Sequence, residues 1–205
     1  MHAIDLLVLA GGRGERLGGQ DKAALTLGGR PLLDRVLDAA PALGGRVVVV
    51  GDTPVPADVP RTLEDPPDGG PVAGIAAGLE VLRPAASWVA VVAVDQPGAA
   101  RALAALCATL PGLGEDVDAV SHEDAGGHRQ WLLAVYRRPA LEAALRDLGE
   151  ARHTSVRRLV SGLSWQTVER GAEHLGDVDT WEDAQDWERR LGRATMATDR
   201  LDLEG

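Results

Sequence analysis

The chain has 205 residues, 45% of them hydrophobic, enough for one domain with a sizeable core or at most two small ones. With 31 acids against 21 lysines and arginines, its formal net charge is -10, which disfavours nucleic acid or an anionic membrane as partner because both attract basic surfaces. Cys107 is the one cysteine, so neither an internal disulfide nor a cysteine-built zinc site can form, and a reducing cytoplasm is the expected setting.

The first residues lack the form of a secretory signal, because Asp5 interrupts the opening apolar run and glycines and charges follow at once. No apolar run approaches the roughly 20 residues that span a bilayer. Phenylalanine is absent and tyrosine occurs once, so the core has to be built from alanine, valine and leucine with help from some of the five tryptophans.

Short β-like runs alternate with longer helical patterns through the first half. Residues 4–10 read as a strand. Pro31 suits the first turn of a helix, and Leu32, Leu33, Val36, Leu37 and Ala40 follow at helical spacing. Residues 46–50 form a second strand, whose four valines imply burial on both faces. An extended, proline-rich connector is expected over 53–60, a helix over 71–82, a central strand over 88–94 and a helix over 99–110. The second half is less regular, with strands at 117–121, 131–136 and 165–168 and helices at 139–148 and 154–161. Thr180 can cap a last helix through Leu191, with Glu182 and Asp183 well placed against its dipole. The pattern predicts an α/β fold: a single Rossmann-like domain over residues 1–192, with a mostly parallel central sheet flanked by helices, followed by a polar tail at 193–205.

The stretch LAGGRGERLGGQDKA, residues 9–23, follows the first strand directly. Glycines after a strand expose backbone N–H groups that can close on phosphate oxygens, and Arg13, Arg16 and Lys22 add positive charge. The other reading is a tight glycine turn with solvated charges. A Walker A loop is excluded, since Asp21 precedes Lys22 and Ala23 follows it. The dinucleotide fingerprint misses by one position, because Gly12, Gly14 and Gly18 give GxGxxxG, and the acid expected about 20 residues on is absent. Elsewhere, Asp95 ends a central strand where α/β folds bind ligands, or simply opens a turn with Gln96 and Pro97. Asp65 before two prolines, and Gly70 and Gly74 around Pro71, also have plain turn or packing readings.

Five segments together carry a resemblance. The opening loop, LTLGGRPLLDRVL after it, EDPPDGGPVAGIAAGL, VAVVAVDQP and the later LGDVDTWEDA stand in the order found in the MobA-like nucleotidyltransferases, over about residues 4–187. In that family Asp177 and Asp179 fall where two asparagines are usual, and Trp181 replaces a proline. The resemblance implies transfer of GMP from GTP to the phosphate of a molybdopterin-type acceptor bearing molybdenum, with Mg²⁺ as cofactor and pyrophosphate released. Transfer from CTP, or to another small phosphorylated metabolite, stays open, as does a nucleotide-binding protein without turnover.

By the same resemblance Leu9, Ala10, Gly11, Gly12, Arg13, Gly14 and Lys22 cradle the triphosphate, Asp65, Gly70 and Gly74 lie along the nucleotide pocket, and Lys22, Arg13 and Asp95 carry catalysis. Asp95 and Asp179 hold the metal, although Asp179 also reads as a helix-start acid. His128, Arg129 and Gln130, in AGGHRQWLLAV, stand between acceptor contact and a solvated turn after the glycine pair. GTP and the acceptor are the implied partners, with transient hand-over to molybdoenzymes or cofactor-biosynthesis proteins.

Overall fold

The first strand, IDLLVL, is buried at every position, and its alternate side chains feed two separate cores. A computed structural model describes residues 3–11, 13–14, 20–169 and 171–202; for residues 13, 14, 20 and 193–202 only the backbone is described. The chain runs β1 (Ile4–Leu9), β2 (Arg13–Gly14), β3 (Gln20–Asp21), β4 (Thr26–Leu27), β5 (Arg30–Pro31), α1 (Leu32–Leu37), α2 (Ala40–Leu43) and β6 (Gly44–Val50). It continues through β7 (Arg61–Thr62), α3 (Pro71–Val81), β8 (Trp88–Ala93), α4 (Ala99–Cys107), β9 (Ala119–Glu123) and β10 (Arg129–Arg137). The last elements are α5 (Arg138–Leu148), α6 (Val156–Leu159), β11 (Trp165–Thr167) and α7 (Trp181–Asp202).

Seven strands make the main sheet in the order β11-β9-β10-β8-β1-β6-β7. Only β10 runs against the others, pairing antiparallel with β8 and β9. Ile4, Leu6, Val8, Val49 and Val92 pack toward α1, α2 and α4, whereas Leu7, Leu9, Val48, Val50 and Val91 pack toward α3, α5 and α6. This is the three-layer solution for a sheet buried on both faces. From β1 the chain moves first to β6 on one side and then returns across β1 to β8 on the other. The crevice above the C-terminal ends of β1 and β8 is therefore the topological switch point, where open α/β sheets bind ligands.

The expected elements are present with shifted ends, each for a local reason. The stripe from Leu32 to Ala40 breaks after Leu37, because Pro41 has no N–H and its ring would clash with a continuing helix, so a separate short α2 forms. The helix expected to reach Leu110 stops at Cys107, and Pro111 sits in the tight turn Leu110–Gly112. Only Val156–Leu159 is helical within 154–161, capped by the Ser155 hydroxyl. The 53–60 connector contains a turn, closed by the Val59 amide on the Pro56 carbonyl, before the chain pairs again as β7. The last helix does not end at Leu191 but continues to Asp202. Among the described residues, no helix is long and apolar enough to cross a membrane.

α7 docks where the fold needs it. Leu25, Leu27 and Leu32, around the β4–β5 hairpin, form a small third core with Val178, Ala184 and Trp187. That contact draws the segment after Lys22 against the segment after Asp179.

Candidate active site

Lys22 opens a one-turn 3-10 helix, Lys22–Ala24, whose cap is Asp21. The Asp21 carboxylate accepts the Ala23 amide at 2.9 Å through one oxygen and the Thr53 hydroxyl at 2.7 Å through the other. Thr53 is buried and follows β6, so the turn that carries Lys22 is tied to the end of the neighbouring strand. The Lys22 Nζ then donates to Asp95 Oδ2 at 3.0 Å and to Asp179 Oδ1. These residues stand 73 and 157 positions from Lys22 in the sequence.

Backbone contacts hold the two acids in place. Val94 donates its N–H to the Leu9 carbonyl at 2.9 Å, and Val178 donates to the Asp95 carbonyl at 2.9 Å, so the loop bearing Asp177 and Asp179 is stitched to the end of β8. Thr180 and Asp183 form a reciprocal capping box at the start of α7: the Asp183 amide donates to the Thr180 hydroxyl, and the Thr180 amide donates to the Asp183 carboxylate at 2.8 Å. The same carboxylate accepts the Asp179 amide at 3.1 Å.

Burial pushes the Asp95 carboxyl above its ordinary range, with Asp177 and Asp179 adding to the effect and Lys22 opposing it. Burial also works against the Lys22 ammonium, yet the hydrogen bonds and charges of Asp179 and Asp95 outweigh it and raise its pKa. The site is thus a partly desolvated cation between two carboxylates, open to solvent on the Asp179 side, where 43% of that side chain is exposed.

Leu9 ends β1, and Ala10 donates to the Val50 carbonyl at 2.8 Å. Gly51, at the end of β6, passes so close to this turn that a Cβ there would stand 2.7 Å from the Ala10 carbonyl group. Gly11 is exposed and faces open space. The backbones of Arg13 and Gly14 pair with Asp21 and Gln20, folding the loop back toward Lys22. Gly12, and the side chains of Arg13 and Arg16, lie outside the described residues.

Asp65 is exposed in the loop before α3. Gly70 caps that helix at φ 87, a left-handed conformation in which a side chain would be strained, while Gly74 faces the sheet with a Cβ position 3.0 Å from Leu9. His128 and Gln130 belong to the β9–β10 hairpin, where Asp124 accepts the Gly126 and His128 amides and the Gln130 side chain. Arg129 pairs with Glu123 at 3.4 Å and lies over the Trp165 ring. Because Leu133 pairs with Val92, this hairpin leaves the sheet on the same edge as Asp95.

Sequence reasoning missed the supports of the site. Asp21 and Thr53 position Lys22; the Asp-Lys-Ala-Ala run is a short cap signal, but the Thr53 contact crosses between strands. Arg152 donates to the Pro66 and Pro67 carbonyls, and His153 donates its amide to the Gly69 carbonyl at 2.7 Å, so these residues clamp the loop that carries Asp65.

Asp95 and Asp179 already share one cation, and their oxygens suit a hard divalent ion equally well. Among the described residues, no group of three or more His, Cys, Asp or Glu is arranged around a metal position. A pair of carboxylates is the kind of donor set that Mg²⁺ takes from a protein, with phosphate oxygens and water filling the rest of its shell.

A glycine-bearing loop at a switch point, with a lysine and an acid converging above the same strands, defines an α/β domain built for phosphate chemistry on nucleotides. Residues 6–168 match the MobA-like NTP transferase domain, and the chain belongs to that family of nucleotidyltransferases. It is 34% identical over 206 residues to a molybdenum cofactor guanylyltransferase of Bradyrhizobium sp. (strain ORS 278), covering 91% of this chain and 92% of the relative. It is 32% identical over 201 residues to the protein of that name from Pseudomonas putida, with 87% and 95% covered. Molybdopterin-guanine dinucleotide biosynthesis protein A from Archaeoglobus fulgidus shares the fold at a TM-score of 0.69 and 21% identity, over 93% of this chain and 100% of that one. The 2-C-methyl-D-erythritol 4-phosphate cytidylyltransferase of Thermus thermophilus shares it at 0.63 and 19%, over 94% and 100%.

Proposed function

We propose that this nucleotidyltransferase moves GMP from GTP to the phosphate of molybdenum-bearing molybdopterin. An acceptor phosphate oxygen attacks the α-phosphorus, a new phosphoanhydride bond forms, and the bond to the β-phosphate breaks to release pyrophosphate. The observation that carries the reading is the meeting of Lys22 with Asp95 and Asp179 above β1 and β8, in a chain similar over 91% of its length to a relative bearing the guanylyltransferase name.

Two anions must be brought together in this reaction, so the protein's task is to offset their repulsion and stabilise charge on the leaving group. Lys22 supplies a point charge to the phosphates, with Arg13 assisting, while N–H groups of residues 9–14 give directional contacts. Asp21 and Thr53 keep Lys22 aimed into the crevice. Mg²⁺, held by Asp95 and Asp179, supplies Lewis-acid stabilisation of the phosphoryl oxygens when bound. Asp65 and Gly70 flank the nucleoside, and Gly74 lets α3 close on Leu9 beneath it. His128, Arg129 and Gln130 face the acceptor from the neighbouring hairpin, and release of the finished cofactor is to molybdoenzymes.

The test is pyrophosphate release from the full chain with Mg²⁺ and molybdenum-bearing molybdopterin, comparing GTP with CTP. GTP-dependent release with formation of the guanine dinucleotide is expected. Release with CTP alone moves the assignment to cytidylyl transfer, and nucleotide binding without release with either triphosphate overturns it.

A further inference from the structure

Just beyond Asp95 the chain borders a second concavity. A groove of about 370 Å³ lies between α1, the start of α4, the tight turn Ala172–His174 and α7. Four cationic or ionisable basic side chains line it: Arg35, Arg101, His174 and Arg190. Its two acids are already engaged. Asp38 is held by a two-pronged pair with Arg30 at 2.9 and 3.0 Å, and Glu173 accepts the Gly171 amide at 3.0 Å and faces His174 at 3.6 Å.

The guanidinium groups are less completely used. Arg35 gives Nη2 to the Leu27 carbonyl, while its Nε is buried without an acceptor. Arg190 lies over the Trp187 ring at 5.0 Å and reaches the Leu175 carbonyl at 3.3 Å through one nitrogen. Among the described residues Arg101, which is exposed, pairs with no acid. Three arginines therefore line a groove whose two acids are held by other partners, which leaves an excess of positive charge in this corner. On a chain of net charge -10, such an excess is local and attracts anions to one place.

We propose that this groove is a second anion site, separate from the glycine loop, which takes the polyphosphate group of a small molecule through Arg35, Arg101 and Arg190. The ligand class follows from donor geometry. Arg35 on α1, Arg101 on α4 and Arg190 on α7 line the groove from three helices, and adjoining phosphates present oxygens to several sides at once, whereas a carboxylate offers one planar face. The inference does not depend on guanylyl transfer being the reaction.

Titration calorimetry of the full chain with inorganic pyrophosphate, in the absence of divalent metal, tests it. Two classes of site are expected in the parent. Lys22→Ala should remove the loop class and leave the other. The double variant Arg101→Ala, Arg190→Ala should weaken that remaining class at least tenfold, and Arg101→Ala alone, at an exposed position, should act in the same direction. Arg157→Ala removes the same charge from an exposed position elsewhere and should leave both classes unchanged, which separates a site from a general electrostatic effect. Inorganic phosphate should bind the groove more weakly than pyrophosphate, and GTP titrated into Lys22→Ala shows whether a nucleotide's polyphosphate is accepted as well as a free one. Loss of all pyrophosphate binding in Lys22→Ala overturns the proposal. So does parent-like binding in the double variant, or occupation of the groove by a glutamate-rich peptide but not by pyrophosphate.

Discussion

Two buried or half-buried ion pairs sit at opposite ends of the central strands, and the protein satisfies them to different degrees. At the start of β1, Asp5 is 1% exposed and accepts the Arg46 amide at 2.9 Å, the Ala86 amide at 3.0 Å and Arg138 Nη1 at 3.1 Å. Arg138, equally buried, gives its other nitrogens to Glu142 at 2.8 Å and to the Leu79 carbonyl. At the far end, among the described residues, the Asp95 carboxylate has Lys22 as its hydrogen-bond partner and no other, and 20% of its side chain meets solvent. In the first pair each side-chain nitrogen and oxygen has an internal partner, and the pair joins β1, α3 and α5. The second keeps oxygens free and a cation that can be drawn away, as a phosphate-binding site needs. The same residue classes thus serve architecture where every partner is internal and chemistry where some are left for a ligand.

The contrast breaks most visibly at Asp5. Asp5→Ala leaves the buried Arg138 with Glu142 as its remaining acid partner and strips Nη1 of its acceptor, and breaking a buried pair from one side costs about 3–5 kcal/mol of stability. That is a large share of the roughly 5–15 kcal/mol typical of a domain. Chemical denaturation should show the loss, while transfer per folded molecule at a permissive temperature should match the parent. A variant of normal stability with slow transfer would place Asp5 in the wrong half of the comparison.

Asp95→Asn should do the reverse. The side chain is nearly isosteric, so the denaturation midpoint should move little, whereas transfer should fall by about 10² or more, as when one charge contact to a transition state is removed. Pyrophosphate release at the parent rate would show that the open pair is as structural as the closed one.

Much of this contrast was legible before the structure. The alternation of IDLLVL and the valine run with helical stripes defines a sheet buried on both faces, and the loop from Leu9 to Lys22 with Asp95 marks its C-terminal edge. Asp5 drew notice only as an interruption of an apolar run, since its partners come from positions 46, 86 and 138 and no local pattern links them. Thr53 escaped for the same reason, its hydroxyl reaching Asp21 across a gap of 32 residues. Helix ends depart from the hydrophobic period where proline chemistry competes with a continuing stripe, at Pro41 and Pro111. Local propensity and period can be read along the chain, whereas long-range polar pairing is decided by topology.

The finest test of the comparison lies in the support for the open pair. Asp183 accepts the Thr180 hydroxyl and amide and the Asp179 amide, so it fixes the start of α7 and the backbone of a site acid at once. Those bonds, the Thr180 side chain foremost, hold its carboxyl below the ordinary range. A depressed acid contributes stability that is present above its unfolded pKa and is lost as pH falls through the lower folded value. Asp183→Asn should therefore lower stability by about 1 kcal/mol or less at neutral pH, the size of one helix-cap contact. The gap to the parent should narrow on acidification below the ordinary aspartate range, where the parent's own carboxylate is protonated. The Val178 amide still ties this loop to the Asp95 carbonyl when the Asp179 amide loses its partner, so transfer should slow only a few-fold, far less than for Asp95→Asn. Thermal melts across that pH range, run beside initial rates at neutral pH, give both readouts. A gap that widens in acid would reverse the sign assigned to Asp183, and a rate loss as large as that of Asp95→Asn would make the α7 cap part of the reacting centre rather than its support.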